Sequence, residues 1–298
     1  MVKMNFAVQE VLEAHRKLTQ LPLALNNARE LGGIVLRDGR RVRRGLLLRT
    51  TRLSDATEAD LRRLREDYHV ALILDMRDES EIRSTPDPEI PEAKWVHVPI
   101  IDFAFMRASI AASAQAHQGE APEVGPETFS KEKVLEYMLA AARSSEPKDA
   151  GLGSAYASYL DGPLGREKLG LFFHELAALG SGAALWHCRT GKDRTGIAAG
   201  LILEALGADW ETIAVDYETS NLFFQPEIEA MEALLRAKGV EEELIAPICG
   251  FEGVYRPMQK KAWTYMDEKW GGAVGYLKGA CGVSDEELEA IRARYIEE

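Results

Sequence analysis

The sequence predicts an α/β fold with a central, mostly parallel sheet flanked by helices, a helical insertion at about 103–160 and a helical C-terminal part at about 222–298. Three observations carry this. Short apolar runs at 70–74, 95–98 and 183–187 alternate with stretches of helical periodicity, which is the pattern of βα units and a parallel sheet. Asp75, Asp102 and Cys188 fall just beyond those runs, at the carboxyl ends of strands, where the ligand crevice of an open α/β sheet lies. With 298 residues the chain can bury a sizeable core, and 1–298 reads as a single domain.

The elements follow in order. Residues 6–18 bring Val8, Val11, Leu12 and His15 to one helical face. The runs 34–36 and 46–48 flank Asp38-Gly39, a favoured turn pair, and predict a short hairpin. A helix over 57–67 turns Leu61 and Leu64 inward, the strand at 70–74 follows, and the strand at 95–98 stops at Pro99. Within the insertion, helical patterns at 103–116 and 131–142 are joined by an Ala-, Gly- and Pro-rich stretch at 118–126. It has room to cover a site, with Gly151 and Gly153 as hinges, or it is a plain decoration of the fold. A helix at 166–179, the strand at 183–187 and a helix at 194–206 come next. Helices at 209–219, 226–238, 257–270 and 284–295 complete the chain, with Phe223, Phe224, Phe251, Tyr255, Trp263 and Trp270 expected to pack.

Composition excludes several classes of function. Hydrophobic residues at 46% and charged residues at 28% are the balance of a soluble globular protein, not of a disordered or fibrous one. A net charge of -12 argues against nucleic acid, whose binding draws on clustered Lys and Arg. Cys188, Cys249 and Cys281 stand too far apart to suggest a disulfide framework or a C-x-x-C metal site, so neither metal nor cofactor is expected. Residues 1–20 carry Glu10, His15, Arg16 and Lys17 and do not read as a signal peptide. No apolar run approaches the ~20 residues of a membrane span, and a cytoplasmic location is expected.

The chemistry concentrates in His187-Cys188-Arg189-Thr190-Gly191-Lys192-Asp193-Arg194-Thr195-Gly196, between a buried strand and a helix. A loop of backbone N–H groups at a helix N-terminus is a concave anion site, reinforced by the helix dipole. Gly191 permits the tight turn, and Arg194 can give a phosphate two parallel charge-assisted hydrogen bonds that Lys would not reproduce. Helix N-termini and neighbouring cations favour the thiolate form of a cysteine, which suits Cys188 to nucleophilic attack on a phosphoester and a phosphocysteine intermediate. Thr195 is placed to donate to that sulfur, and His187 reads as an orienting residue. An inert buried cysteine is the bland alternative. A Walker-type loop is rejected, because Gly191-Lys192 lacks the upstream glycine and the following Ser or Thr.

This loop resembles the C-x5-R signature of the protein tyrosine phosphatase superfamily, and its fuller form H-C-x-x-G-K-D-R-T-G is similar to the bacterial and fungal tyrosine/serine phosphatase branch. Supporting segments are the stretches 27–33 and 45–50, Asp75-Met76-Arg77 with Glu81, and 216–221. The resemblance implies Cys188 as nucleophile and Arg194 as phosphate clamp. It also implies that Arg189, Thr190, Gly191, Lys192 and Asp193 are loop residues around the phosphate. The implied substrates are phosphotyrosine, with phosphoserine, phosphothreonine or phosphoinositides as further possibilities. A cation at Lys192 is similar to that of phosphoinositide phosphatases, the alternative being a solvated surface lysine.

The Trp-Pro-Asp segment of the classical tyrosine phosphatases is absent, so the proton donor stays open among Asp193, Asp102 and Asp75. Asp75 with Arg77 can instead form an ion pair that braces the loop. Two other functions compete. One is rhodanese-like sulfur transfer, against which the five residues between Cys188 and Arg194 argue. The other is a catalytically silent phosphate-binding module, which intact Cys188 and Arg194 disfavour.

Overall fold

A computed structural model describes residues 6–101, 156 and 159–297. Five strands form one sheet: β1 (Arg29–Glu30), β2 (Leu47–Thr50), β3 (Val70–Asp75), β4 (Lys94–His97) and β5 (Ala183–His187), in the order β1-β2-β5-β3-β4. Only β1 runs antiparallel to its neighbour β2; the other pairs are parallel. Parallel strands covered on both faces need apolar side chains in succession, which is why β3 and β5 read as unbroken apolar runs. Successive residues still point to opposite faces. Leu47, Leu74 and Trp186 join one core layer, and Leu48, Ile73 and Leu185 join the other.

Among the described residues the helices are α1 (Phe6–Thr19), α2 (Glu58–Glu66), α3 (Glu79–Ser84), α4 (Pro163–Ala178), α5 (Asp193–Leu206) and α6 (Trp210–Thr219). They continue as α7 (Gln225–Ala237), α8 (Glu242–Cys249), α9 (Arg256–Trp270), α10 (Ala273–Gly279) and α11 (Asp285–Tyr295). Several start where side chains take up the free N–H groups of the first turn. Thr57, Asp78 and Ser284 each form a reciprocal capping box with the residue three positions on, and Asp209 caps α6. The helix α5 is buried along almost its whole length, with Gly200 leaving room for the Trp263 ring. A separate small core of Met231, Leu235, Val240, Leu244, Ile245, Ile248 and Cys249 joins α7 to α8.

The predicted hairpin is corrected. Asp38-Gly39 does make a tight turn, but its arms are 34–36 and 40–42, with Leu36 and Arg40 sharing a backbone hydrogen bond of 2.8 Å. Leu47 and Leu48 belong instead to β2, buried throughout, between β1 and β5. A turn pair selects the nearest strand-competent segments, whereas a fully apolar run is drawn to the sheet centre. The short helices α3, α8 and α10 escaped prediction, and α4 begins at Pro163, ahead of 166, because Pro suits the first helical turn. The helices expected at 103–116 and 131–142, the stretch at 118–126, Gly151, Gly153 and Asp102 lie outside the described residues. At the far end of the insertion Tyr156, Tyr159 and Leu160 are buried in the main core. No helix among the described residues is long and apolar enough to cross a membrane.

Candidate active site

The register of the sheet puts Thr50, Asp75 and His187 side by side at one edge, because β2 and β3 flank β5 in parallel. Cys188 emerges there, 2% exposed, and the chain turns through Gly191 into α5. Gly191 has φ +67°, and a Cβ on it would lie 2.3 Å from the Thr50 carbonyl oxygen, so no other residue fits without displacing β2.

The loop carbonyls are held from outside. The Arg189 carbonyl accepts from Thr51 Oγ1 at 2.7 Å and the Arg52 amide at 3.3 Å. The Gly191 carbonyl accepts from Asn27 Nδ2 at 2.9 Å and Arg49 Nη2 at 3.0 Å. A trans peptide points its N–H opposite its C=O, so these bonds turn the amides of Thr190 and Lys192 away from their carbonyl partners, toward the concave side. The donors are themselves anchored. Arg49 Nη1 donates to Asp216 Oδ2 at 2.5 Å, and Arg29 to the Asp216 carbonyl at 2.9 Å. His15 Nε2 lies 3.3 Å from Asp216 Oδ1. Burial alone would raise the Asp216 carboxyl, but Arg29 and Arg49 reverse this and hold it far below the ordinary carboxylate range.

Arg194, 7% exposed, is gripped end-on by Glu81: Nη1 to Oε2 at 2.6 Å and Nη2 to Oε1 at 2.8 Å, with Nη1 also reaching the Met76 carbonyl at 3.2 Å. A guanidinium has five N–H donors. This grip leaves Nε–H and the second Nη2–H along one edge, the fork that a tetrahedral oxyanion accepts bidentately. Burial lowers the Arg194 affinity for its proton, but the Cys188 and Glu81 charges more than restore it.

Asp193 opens α5 with its side chain 31% exposed. Tyr156 donates to its Oδ1 at 3.0 Å and is in turn hydrogen-bonded to the Tyr217 hydroxyl. Tyr159 stands close enough for Asp193, Arg194, Cys188 and Glu81 to act on its hydroxyl, which burial above all keeps protonated. The chain thus carries the Cys188 thiol, the loop amides, the Arg194 fork and the partly open Asp193 carboxyl on one segment between β5 and the first turn of α5.

The model of the family described as "Tyrosine phosphatase family" matches residues 22–297 of this chain. The chain belongs to that family. A Cupriavidus necator protein named "Putative tyrosine-protein phosphatase" is 27% identical over 301 residues, covering 96% of both chains. The triple specificity protein phosphatase PtpB of Mycobacterium tuberculosis is 27% identical, covering 86% of this chain and 91% of its own. A tyrosine-protein phosphatase of Nostoc commune is 32% identical over 57% of this chain and 60% of its own. The protein is thus an enzyme that hydrolyses phosphoric monoesters.

In this member of the family the expected site residues fall out unevenly. Asp75 is fully buried and ionised, its oxygens taken by Arg77 Nε at 3.0 Å and Nη2 at 2.7 Å. Burial would raise its carboxyl, and Arg77 and His187 overcome that and lower it. Asp75 therefore has no proton to give, and it braces the strand end. Arg77 Nη2 also donates to Asp87 Oδ2 at 2.7 Å, and His187 Nε2 lies 3.1 Å from the same oxygen. Asp75, Asp87 and His187 are close enough together to hold a cation, but the Arg77 guanidinium already supplies one. His187 is fully buried behind the loop, its Nδ1 3.3 Å from the Cys188 carbonyl.

Two expectations fail geometrically. Thr195 Oγ1 is buried and makes no hydrogen bond among the described residues, to the Cys188 sulfur or elsewhere. Its backbone carbonyl instead receives Trp186 Nε1 at 3.0 Å. Lys192 is not a solvated lysine, and its ammonium, 3.9 Å from Asp193 Oδ2, is held mainly by backbone carbonyls. It is 6% exposed, and its Nζ donates to the carbonyls of Phe251, Glu252 at 2.7 Å and Gly253 at 2.8 Å, just beyond α8.

Glu81 was quoted in the sequence only as part of a family segment, and its grip on Arg194 yields a pH prediction. Burial pushes its carboxyl up, but hydrogen bonds and charge from Arg194, with Asp78 assisting, bring it down to about 2 from 4.5. A carboxyl lowered by folding stabilises the fold fully above its unfolded value, and that stability drains as pH falls from about 4.5 toward about 2. The total is of the order of 3 kcal/mol at most. Denaturant midpoints measured between these pH values should fall more steeply for the wild type than for Glu81→Gln; parallel curves would show that the pair contributes nothing to the acid limb.

Proposed function

We propose that the protein hydrolyses phosphotyrosine, and with broader tolerance phosphoserine and phosphothreonine, through a phosphocysteine intermediate. The observation that carries this is the placing of the Cys188 sulfur in a loop whose carbonyls are tied outward by Thr51, Asn27 and Arg49 while Arg194 stands across it on Glu81. The Cys188 thiolate attacks phosphorus in line with the ester oxygen, the P–O bond to the alcohol breaks, and Asp193 delivers a proton to the departing oxygen. Water then attacks phosphorus, its proton passes to the Asp193 carboxylate, and the S–P bond breaks to return the thiolate. Amides of residues 189–194 and the Arg194 fork carry the charge of the phosphoryl oxygens in both steps.

Asp193 is preferred as the donor because its carboxyl is partly open beside Arg194, whereas Asp75 is sealed in an ion pair. Breadth of substrate is supported by the likeness to the triple specificity phosphatase. A phosphoinositide reading loses its main support, since the Lys192 ammonium is spent on three carbonyls and does not face a second phosphate.

Asp193→Asn is expected to slow phosphoserine- and alkyl phosphate hydrolysis ~10²–10⁴-fold while sparing esters with good leaving groups. Asp102→Asn run beside it should leave both rates near the wild type; the reverse pattern would transfer the role to Asp102. Phosphotyrosine, phosphoserine and phosphothreonine peptides and phosphoinositide vesicles, assayed in parallel, test the specificity. Turnover confined to the vesicles would overturn it.

A further inference from the structure

We propose that Tyr156, backed by Tyr217, is a positioning residue that fixes which oxygen of Asp193 carries the transferable proton. The inference rests on the reading of Asp193 as proton donor and adds the device that aims it. Tyr156 comes from the end of the insertion, Tyr217 from α6 and Asp193 from the start of α5, so three distant segments converge on one carboxyl.

Counting protons gives the direction of the chain. A phenol has one proton to donate. Tyr156 uses its proton on Asp193 Oδ1, so in the bond between the two hydroxyls Tyr217 must be the donor. The relay therefore runs from Tyr217 through Tyr156 to Oδ1. It presents Oδ1 with a fixed hydrogen, and a neutral Asp193 carries its own proton on Oδ2.

The relay is rigid. Tyr156 is 4% and Tyr217 1% exposed. The Tyr217 ring lies against Gly196 on the first turn of α5, where a Cβ would come within 2.8 Å of Cδ2. Burial first, and then the charge of Asp193, keep both hydroxyls protonated across the working pH range, so neither competes as the acid. Lys192 Nζ, 3.9 Å from Oδ2, is the cation on the other side, itself fixed by its carbonyl cage. Proton transfer depends steeply on placement, and a misplacement of the order of 1 Å costs roughly 10²-fold.

The test is the ratio of kcat/KM on a poor leaving group, phosphoserine peptide or an alkyl phosphate, to that on p-nitrophenyl phosphate. Both rates come from one preparation, so the ratio is independent of the fraction folded. Tyr156→Phe should lower the ratio roughly 10- to 100-fold, Tyr217→Phe should lower it less, and Tyr156→Phe should add nothing to Asp193→Asn. Equal losses on both substrates would make Tyr156 a packing residue and overturn the proposal. So would an undiminished effect in the Asp193→Asn background. A wild-type ratio in Tyr156→Phe alongside a collapsed ratio in Asp193→Asn would overturn the positioning role and leave the proton donor standing. An unchanged ratio in Asp193→Asn itself would remove both.

Discussion

Cys188→Ser is expected to lose turnover by roughly 10⁴-fold or more on every substrate, while still binding phosphorylated ligands within about tenfold of the wild type. A hydroxyl needs a base to make it nucleophilic in the first step, when the proposed mechanism has Asp193 holding the proton meant for the leaving group. His187, its sequence neighbour, is buried behind the strand end with Nε2 beside Asp87 and Nδ1 on the Cys188 carbonyl. The anion cradle, by contrast, is built from backbone amides and Arg194 and does not depend on sulfur. Phosphate release should therefore vanish, while calorimetric titration with a phosphotyrosine peptide still shows binding. Residual turnover above about one per cent would be incompatible with a cysteine nucleophile.

Arg194→Lys is expected to be nearly as damaging, lowering kcat/KM roughly 10³–10⁵-fold despite keeping the charge. The guanidinium serves two forks at once, one end on Glu81 and one edge free for the phosphoryl group. An ammonium is a point donor and cannot do both. In the folded protein it would also leave Glu81 with one poorly matched partner in a site only 18% exposed, at a stability cost of about 1–3 kcal/mol. The two effects separate experimentally. Saturating the variant with substrate at a temperature well below its unfolding midpoint should not restore kcat, and a variant retaining a tenth of the wild-type rate would deny Arg194 its role at the transition state.

What the sequence revealed follows the physical range of each interaction. The anion loop was legible because its chemistry is contiguous: strand end, cysteine, glycine, arginine and helix start occupy ten successive residues. The parallel sheet was legible from apolar runs for the same local reason. Contacts between distant segments left weaker marks. Glu81 entered only through the family-like segment with Asp75-Met76-Arg77, which said nothing of its grip on Arg194. Tyr156 carried no signal, and Tyr217 entered only within the family-like segment 216–221, with nothing in the sequence to say that the two hydroxyls meet. The hairpin at Asp38-Gly39 was half right, because the turn is local while the choice of partner strand is settled across the whole sheet. Lys192 was placed near the anion by sequence adjacency, yet its side chain is captured by carbonyls about sixty positions downstream.

That capture bears on how the enzyme can be taken apart. The ten residues around Cys188 look like a portable cassette, one that could be grafted onto another strand and helix or kept in a shortened catalytic core. The carbonyls of Phe251, Glu252 and Gly253 deny that modularity. A chain ending before them would strand a cation in a largely enclosed position against Phe224, directly beside the residue assigned to move the proton. The α7–α8 pair is thus a structural part of the loop it stands beside, and the smallest working unit of this phosphatase extends past residue 253.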